Sequence, residues 1–216
     1  MPTVTPHPLP PTSLIPSSPY PLLHYPAILS RNTACNPAAV HDLFSSNGWD
    51  TQWIYRYGPT QRSHYHSQAH ECMAVLTGRA TIRFGVADTS DDLERSTHGD
   101  GHEQGGVEVQ ANAGDVFLIP AGVSHKTYDT RPVAEFALLT PGDGHHIAAA
   151  DGDVRAVLAA TELSGFTMVG AYPRGSVWDS CTGGEHAQKL RVVHAVPKPE
   201  RDPVLGTARE GLCGLW

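Results

Sequence analysis

Residues 64 to 71 read "HYHSQAHE" and place His64, His66, His70 and Glu71 within one short stretch, and a further histidine, His125, closes the run "PAGVSH" later in the chain. Imidazole and carboxylate together form a mixed N/O donor set, which suits first-row divalent metals. The chain holds 13 histidines in 216 residues, so clustering alone carries little and the spacing has to sort ligands from bystanders. In a strand, successive side chains point to opposite faces, so His64 and His66 at i and i+2 point the same way and Tyr65 points the other. If that shared face is the inside of a β-barrel, two imidazoles converge on one point. Glu71 follows a short turn and opens the next strand, from which its carboxylate can return to that point, and His125 arrives on a later strand. His70 directly precedes Glu71 and faces away from it in a strand, which leaves it a supporting or structural role.

The elements needed to hold such residues are visible along the chain. From residue 51 the runs "TQWIYRY", "ECMAVLTG", "ATIRFG", "GVEVQA", "DVFLIP", "SHKTYD" and "AEFALLT" are of strand length, rich in β-branched and aromatic residues, and separated by Gly, Pro and Asp. Many short strands at regular spacing predict a sandwich or barrel rather than a βαβ sheet. Before them, "NPAAVHDLFSSNGW" carries helix punctuation: Asn36 as N-cap, Pro37 at the first helical position and Gly48 as the stop. The proline-dense start, "MPTVTPHPLPPTSLIPSSPYPLL", favours extended backbone and predicts an arm that is flexible or lies across a neighbouring surface. The polar, acidic, Gly-rich segment 87–106 predicts a long solvated hairpin loop, with His98 and His102 at its surface. "DGDVRAVLAATEL" predicts a short helix, "FTMVGAYPRGSVWD" a strand then a turn, and "VPKPERDPVLGTAREGLCGLW" an irregular tail.

Positions around the histidines follow a longer pattern. Gly58, His64, His66, Glu71 and Gly78 are spaced as G-x5-H-x-H-x4-E-x6-G, and Gly114, Pro120, Gly122 and His125 as G-x5-P-x-G-x2-H. With these two motifs the chain resembles the cupin superfamily, departing from it where Asp129 stands in place of the final Asn of the second motif. The acidic segment accounts for the wide gap between the motifs. The resemblance implies an all-β fold, the cupin double-stranded β-helix or jelly-roll barrel, with a short N-terminal helix and a short helix after the barrel strands. Proline density marks residues 1–30 as the extended arm, and the resemblance implies a single cupin domain over 31–216, the metal-binding barrel spanning about 50–140. It also implies His64, His66, Glu71 and His125 as ligands of one divalent transition metal (Fe, Mn, Ni or Zn), with Glu71 able to alternate between ligation and catalytic base. "MVGAYPRG", the pair Trp178-Asp179 and "VPKPERDPVLG" before a terminal Trp look like a microbial branch of single-domain cupins without a settled activity, a likeness that covers residues 50 to 216.

Other side chains could line the same interior. Trp53, Tyr55 and Tyr57 alternate along one strand and share a face, as a wall for a flat substrate or as ordinary packing between sheets. Arg62, Arg83 and Lys126 are candidate cations for a carboxylate or phenolate, although Lys126 follows His125 and points to the opposite face. The formal charge of -7 argues against nucleic acid or an anionic membrane as partner, since both reward a basic patch. No stretch is long and apolar enough to span a membrane, and the N-terminus lacks the layout of a secretory signal. Cys35, Cys72, Cys181 and Cys213 form no C-x-x-C pair and are expected to be free thiols in a cytoplasmic protein. The expected function is a metal-dependent enzyme on a small organic substrate, an oxidoreductase of dioxygenase type, working as a homodimer. Decarboxylase, isomerase or lyase chemistry on the same fold is the alternative, as is a non-catalytic ligand-binding cupin; a purely structural metal ranks last.

Overall fold

The structure is a computed structural model that describes residues 3–184 and 186–216. Its elements run β1 (Thr5–His7), β2 (Leu22–Tyr25), α1 (Arg31–Ala34), α2 (Pro37–Ser46), β3 (Trp49–Tyr57), β4 (Glu71–Thr77), β5 (Arg79–Phe84), α3 (Leu93–His98), β6 (Val107–Asn112), β7 (Val116–Ile119), β8 (His125–Arg131) and β9 (Ala137–Leu138). They continue with α4 (Val154–Ala160), β10 (Phe166–Pro173), α5 (His186–Ala195) and α6 (Leu212–Leu215). Every strand pairing is antiparallel, in a seven-stranded sheet of order β1-β2-β7-β4-β10-β3-β9 and a three-stranded sheet of order β6-β5-β8. The two sheets form a jelly-roll, the fold that the resemblance implies.

Strand periodicity sorts the side chains into two cores. Along β4, Cys72, Ala74 and Leu76 join Ile54, Val169 and Ala171 on the outer face of the large sheet, where Val40, Phe44 and Leu158 from α2 and α4 cover them. The intervening Met73 and Val75 point inward with Trp53, Tyr57, Ile82, Phe84, Phe117 and Met168 and fill the space between the sheets. Glu71 has the parity of Met73, so the alternation that buries the core aims its carboxylate into the barrel.

The helix over 37–46 has its predicted cap: Asn36 Oδ1 accepts from the Ala39 amide and Pro37 takes the first position. At Gly78 the β4–β5 reversal needs a left-handed residue (φ 78°), and a Cβ there would lie 2.6 Å from the Arg131 carbonyl oxygen. Asp129, the departure from the second motif, also has positive φ (53°), a region that Asn and Asp enter more readily than other side-chain-bearing residues.

Several expectations are revised. The Pro-rich segment is extended but adds strands β1 and β2 to the large sheet, with Leu22, Leu23 and Tyr25 buried. The segment 87–106 is not a purely solvated loop, since α3 forms behind Asp92, whose carboxylate accepts from the Glu94 and Arg95 amides. Ser96 and Thr97 are buried there because Arg83 and Lys126 reach into the helix end: Arg83 donates to the Ser96 and Thr97 carbonyls, and Lys126 to the Ser96 hydroxyl. "AEFALLT" shortens to a two-residue strand on the sheet edge, α6 forms inside the tail that reads as irregular, and α5 precedes that tail.

Candidate metal centre

His64 and His66 lie between β3 and β4, outside any regular strand. Their segment is held by bridges of His64 to His125 and of Tyr65 to Cys181. The alternation survives: Tyr65 turns into a small cluster with Ile15, Ala87 and Cys181, and the two imidazoles turn inward. His64, His66 and His125 each present a ring nitrogen such that all three lie within 4.8 Å of one another. Glu71 closes the group, with Oε1 3.4 Å from His66 Nε2 and Oε2 3.4 Å from His125 Nε2.

The orientation of the His64 and His66 rings is set from behind. His64 Nδ1 faces the Arg62 carbonyl at 3.3 Å, and His66 Nδ1 donates to the Asp179 carbonyl. These bonds leave the Nε2 lone pairs free for the interior. Asp179 is itself fixed, accepting from the Ser67 amide and hydroxyl (both 2.6 Å) and from Lys189 Nζ on α5 (3.1 Å). Tyr172, on β10, donates to Glu71 Oε1 at 2.5 Å and accepts from Trp53 Nε1 at 3.2 Å.

The electrostatics favour a cation among these groups. Burial, reinforced by the neighbouring rings, holds His64 at about pKa 3, although one edge of it opens to the cavity. Burial likewise holds His125 at about 4, so both rings are neutral donors at pH 7. Burial works against a proton on His66 too, yet the Glu71 carboxylate outweighs it and raises that pKa. Burial would raise Glu71 as well, but His66 and His125 reverse the effect and bring it to about 2. Glu71 Oε2 is buried and accepts no hydrogen bond among the described residues. An ionised, under-satisfied carboxylate beside three imidazoles, two of them held neutral, is a donor set that fits a divalent ion.

The group lies on the wall of a cavity of about 440 Å³. Trp53, Tyr55 and Tyr57 line it as their alternation predicts, and Phe136, Tyr172 and Trp178 join them. Trp178 sits 4.8 Å from His66 and stacks on His145 at 4.0 Å. Of the three candidate cations only Arg62 lines this cavity; Arg83 and Lys126 point away into the α3 contacts, Lys126 with Asp88 at 3.0 Å. His70 faces away from Glu71, its Nδ1 accepting from the Ala121 amide at 3.0 Å and its ring 4.8 Å from Trp216. Among the described residues no helix is long and apolar enough to cross a membrane.

Sequence spacing exposed the histidines and the glutamate but gave no role to Tyr172 or Asp179, which lie more than a hundred positions further on. The parity of β10 was the available signal for Tyr172, which shares its inward face with Met168.

A relative from Bacillus subtilis (strain 168), the uncharacterized protein YjlB, is 24% identical over 194 residues, 89% of this chain and 86% of that protein. Among solved structures, the TDP-fucose-3,4-ketoisomerase WlaRA of Campylobacter jejuni is 8% identical with a TM-score of 0.33, over 68% of this chain and 77% of its own. The oxalate decarboxylase of Lactobacillus farciminis is 12% identical with a TM-score of 0.30, and the match spans 61% of this chain but 27% of that longer one. The Cupin family matches residues 31–164, more than half of the chain. With both motifs folded against one cavity, the chain is a single-domain member of the cupin superfamily.

Proposed function

We propose that this protein is a metal-dependent enzyme acting on a small organic substrate, an oxidoreductase of dioxygenase type, with His64, His66, Glu71 and His125 as the ligands of one divalent metal. The observation that carries the reading is the quartet of three convergent imidazoles and an under-satisfied buried carboxylate, open on one side to an aromatic cavity. A bound Fe, Mn, Ni or Zn ion would supply a Lewis-acidic centre, redox-active for the first three, at that point. The protein's own part is to position and exclude. Tyr172 holds its proton on Glu71 Oε1 and keeps that oxygen aimed inward, and the aromatic walls keep water from the substrate's ring face. Glu71 would be the group to take a proton from a bound substrate. Outside the quartet, the described lining residues offer hydroxyls, an amide and one guanidinium, but no other carboxylate or imidazole. That favours chemistry needing little proton shuttling, such as oxygen insertion, over isomerisation. A cytoplasmic homodimer completes the proposal, and sedimentation of the purified chain tests its oligomeric part.

The test is elemental analysis of purified protein beside His64→Ala. The expected result is near-stoichiometric metal in the parent chain and loss of most of it in the variant; full retention by the variant overturns the ligand assignment. Turnover of catecholic and enolic substrates with and without oxygen then separates dioxygenase from decarboxylase or lyase chemistry.

A further inference from the structure

The cavity lining divides into a broad aromatic part and a narrow polar rim. Trp178 and Tyr172 lie nearly parallel, ring centroids 5.7 Å apart at 14°, and Phe136 stacks on Tyr55 at 5.1 Å and 21°. These faces are flat and rigid, and they suit a planar ring better than a puckered one. On the rim, Gln61 Nε2 is buried without a hydrogen-bond partner among the described residues. Such an amide is a donor whose desolvation is offset only when an acceptor arrives. Beside it, Arg62 is the one cation among the described lining residues. Arg62 Nη1 meets Asp91 Oδ1 at 2.8 Å, but the two side chains are 52% and 95% exposed. An ion pair in that setting is weak, so a carboxylate seated at the cavity mouth can displace Asp91.

From these features we infer that the cavity takes a planar aromatic carboxylate, its ring against the Tyr and Trp walls and its carboxylate received by Gln61 Nε2 and the Arg62 guanidinium. A cavity of about 440 Å³ has room for one or two fused rings and not for a polymer segment. The inference rests on the proposal above that this cavity is the substrate site, but not on which metal fills it.

The test titrates the full chain, loaded with Zn(II) so that no ligand is consumed by redox chemistry, with 1-naphthoate, 1-naphthamide, benzoate and cyclohexanecarboxylate. Binding is followed by calorimetry and by quenching of the fluorescence of Trp53 and Trp178, which line the cavity. We expect 1-naphthoate to bind about tenfold more tightly than its amide, and benzoate more tightly than cyclohexanecarboxylate. Arg62→Gln should weaken 1-naphthoate by about tenfold and leave 1-naphthamide unmoved, whereas Asp91→Asn, which frees Arg62, should strengthen 1-naphthoate. Because the metal alone could favour an acid over an amide, an acid preference unchanged in both variants overturns the inference. Equal binding of naphthoate and naphthamide, or of benzoate and its saturated counterpart, overturns it too. Metal content of the same samples reads the other proposal separately. Stoichiometric metal without the ligand preference sinks the ligand class alone, and the preference without metal sinks the metal centre alone.

Discussion

Tyr172 is the side chain on which two parts of the site depend, because one hydroxyl donates to Glu71 and accepts from Trp53. Removing it leaves Glu71 Oε1 without its short hydrogen bond and Trp53 without an acceptor. Partners that orient a metal ligand are typically worth a factor of about 10–100 in metal affinity. Tyr172→Phe should therefore weaken metal binding by about that factor while the fold persists, as read by competition with a chelator and by circular dichroism. His64, His66, Glu71 and His125 were legible in the sequence because each lies at a fixed offset from a glycine or proline that turns the chain. Tyr172 and Asp179 were not, because their contact with the site is created by sheet order and not by sequence distance. The three candidate cations show the same limit from the other side. Strand parity already turned Lys126 away from the interior, but Arg62 and Arg83 read alike, and only their tertiary positions divide the mouth of the cavity from the anchor of α3.

At the scale of elements, strand existence was readable and strand position was not. The runs from 51 onward became β3 to β9 because their β-branched and aromatic residues alternate, yet nothing local announced that β10 would enter between β4 and β3. Gly170 marks that place, since a Cβ on it would fall 2.1 Å from the Trp53 indole, so the ring that lines the cavity lies directly on bare β10 backbone. The loop over 87–106 misled because acidic and glycine residues normally mark solvated chain, whereas here buried cations from the barrel capture α3.

Asp115, at the β6–β7 turn, ties the proline-rich segment to the sheet by accepting from the Ala27 amide (2.7 Å) and the Asn112 amide (3.0 Å). Burial alone would raise its pKa, but these bonds and His24 bring it below the usual carboxylate value. A carboxyl depressed in the folded state stabilises the fold above its unfolded pKa of about 3.9, and that contribution fades as pH falls through this value toward the folded one. Asp115→Asn should cost about 1–3 kcal/mol at pH 7. The gap from the parent should hold from pH 7 to 5 and shrink below about pH 4, as urea midpoints across that range will read.

Over the whole molecule, the early and late parts of the chain are bound to each other behind the large sheet. Tyr25 donates to Asp202 Oδ2 at 2.5 Å in a buried contact, Trp216 Nε1 donates to the Pro21 carbonyl at 2.8 Å, and Trp216 stacks on Tyr20 at 5.0 Å. Asp202 also accepts from the Val204, Leu205 and Leu212 amides. Tyr25→Phe deletes only the hydroxyl from this set, and a hydrogen bond to a charged acceptor is worth about 1.5–3 kcal/mol. Thermal melting should move down accordingly, without change in metal content.

The place of β10 also sets a schedule. A chain made from its N-terminus exposes both histidine motifs while β3 and β4 still lack the strand that joins them. At that stage Glu71 has no Tyr172 and His66 has no Asp179 carbonyl. Pairings across so long a sequence separation form late. The four side chains therefore reach the arrangement described above only once synthesis has passed Asp179.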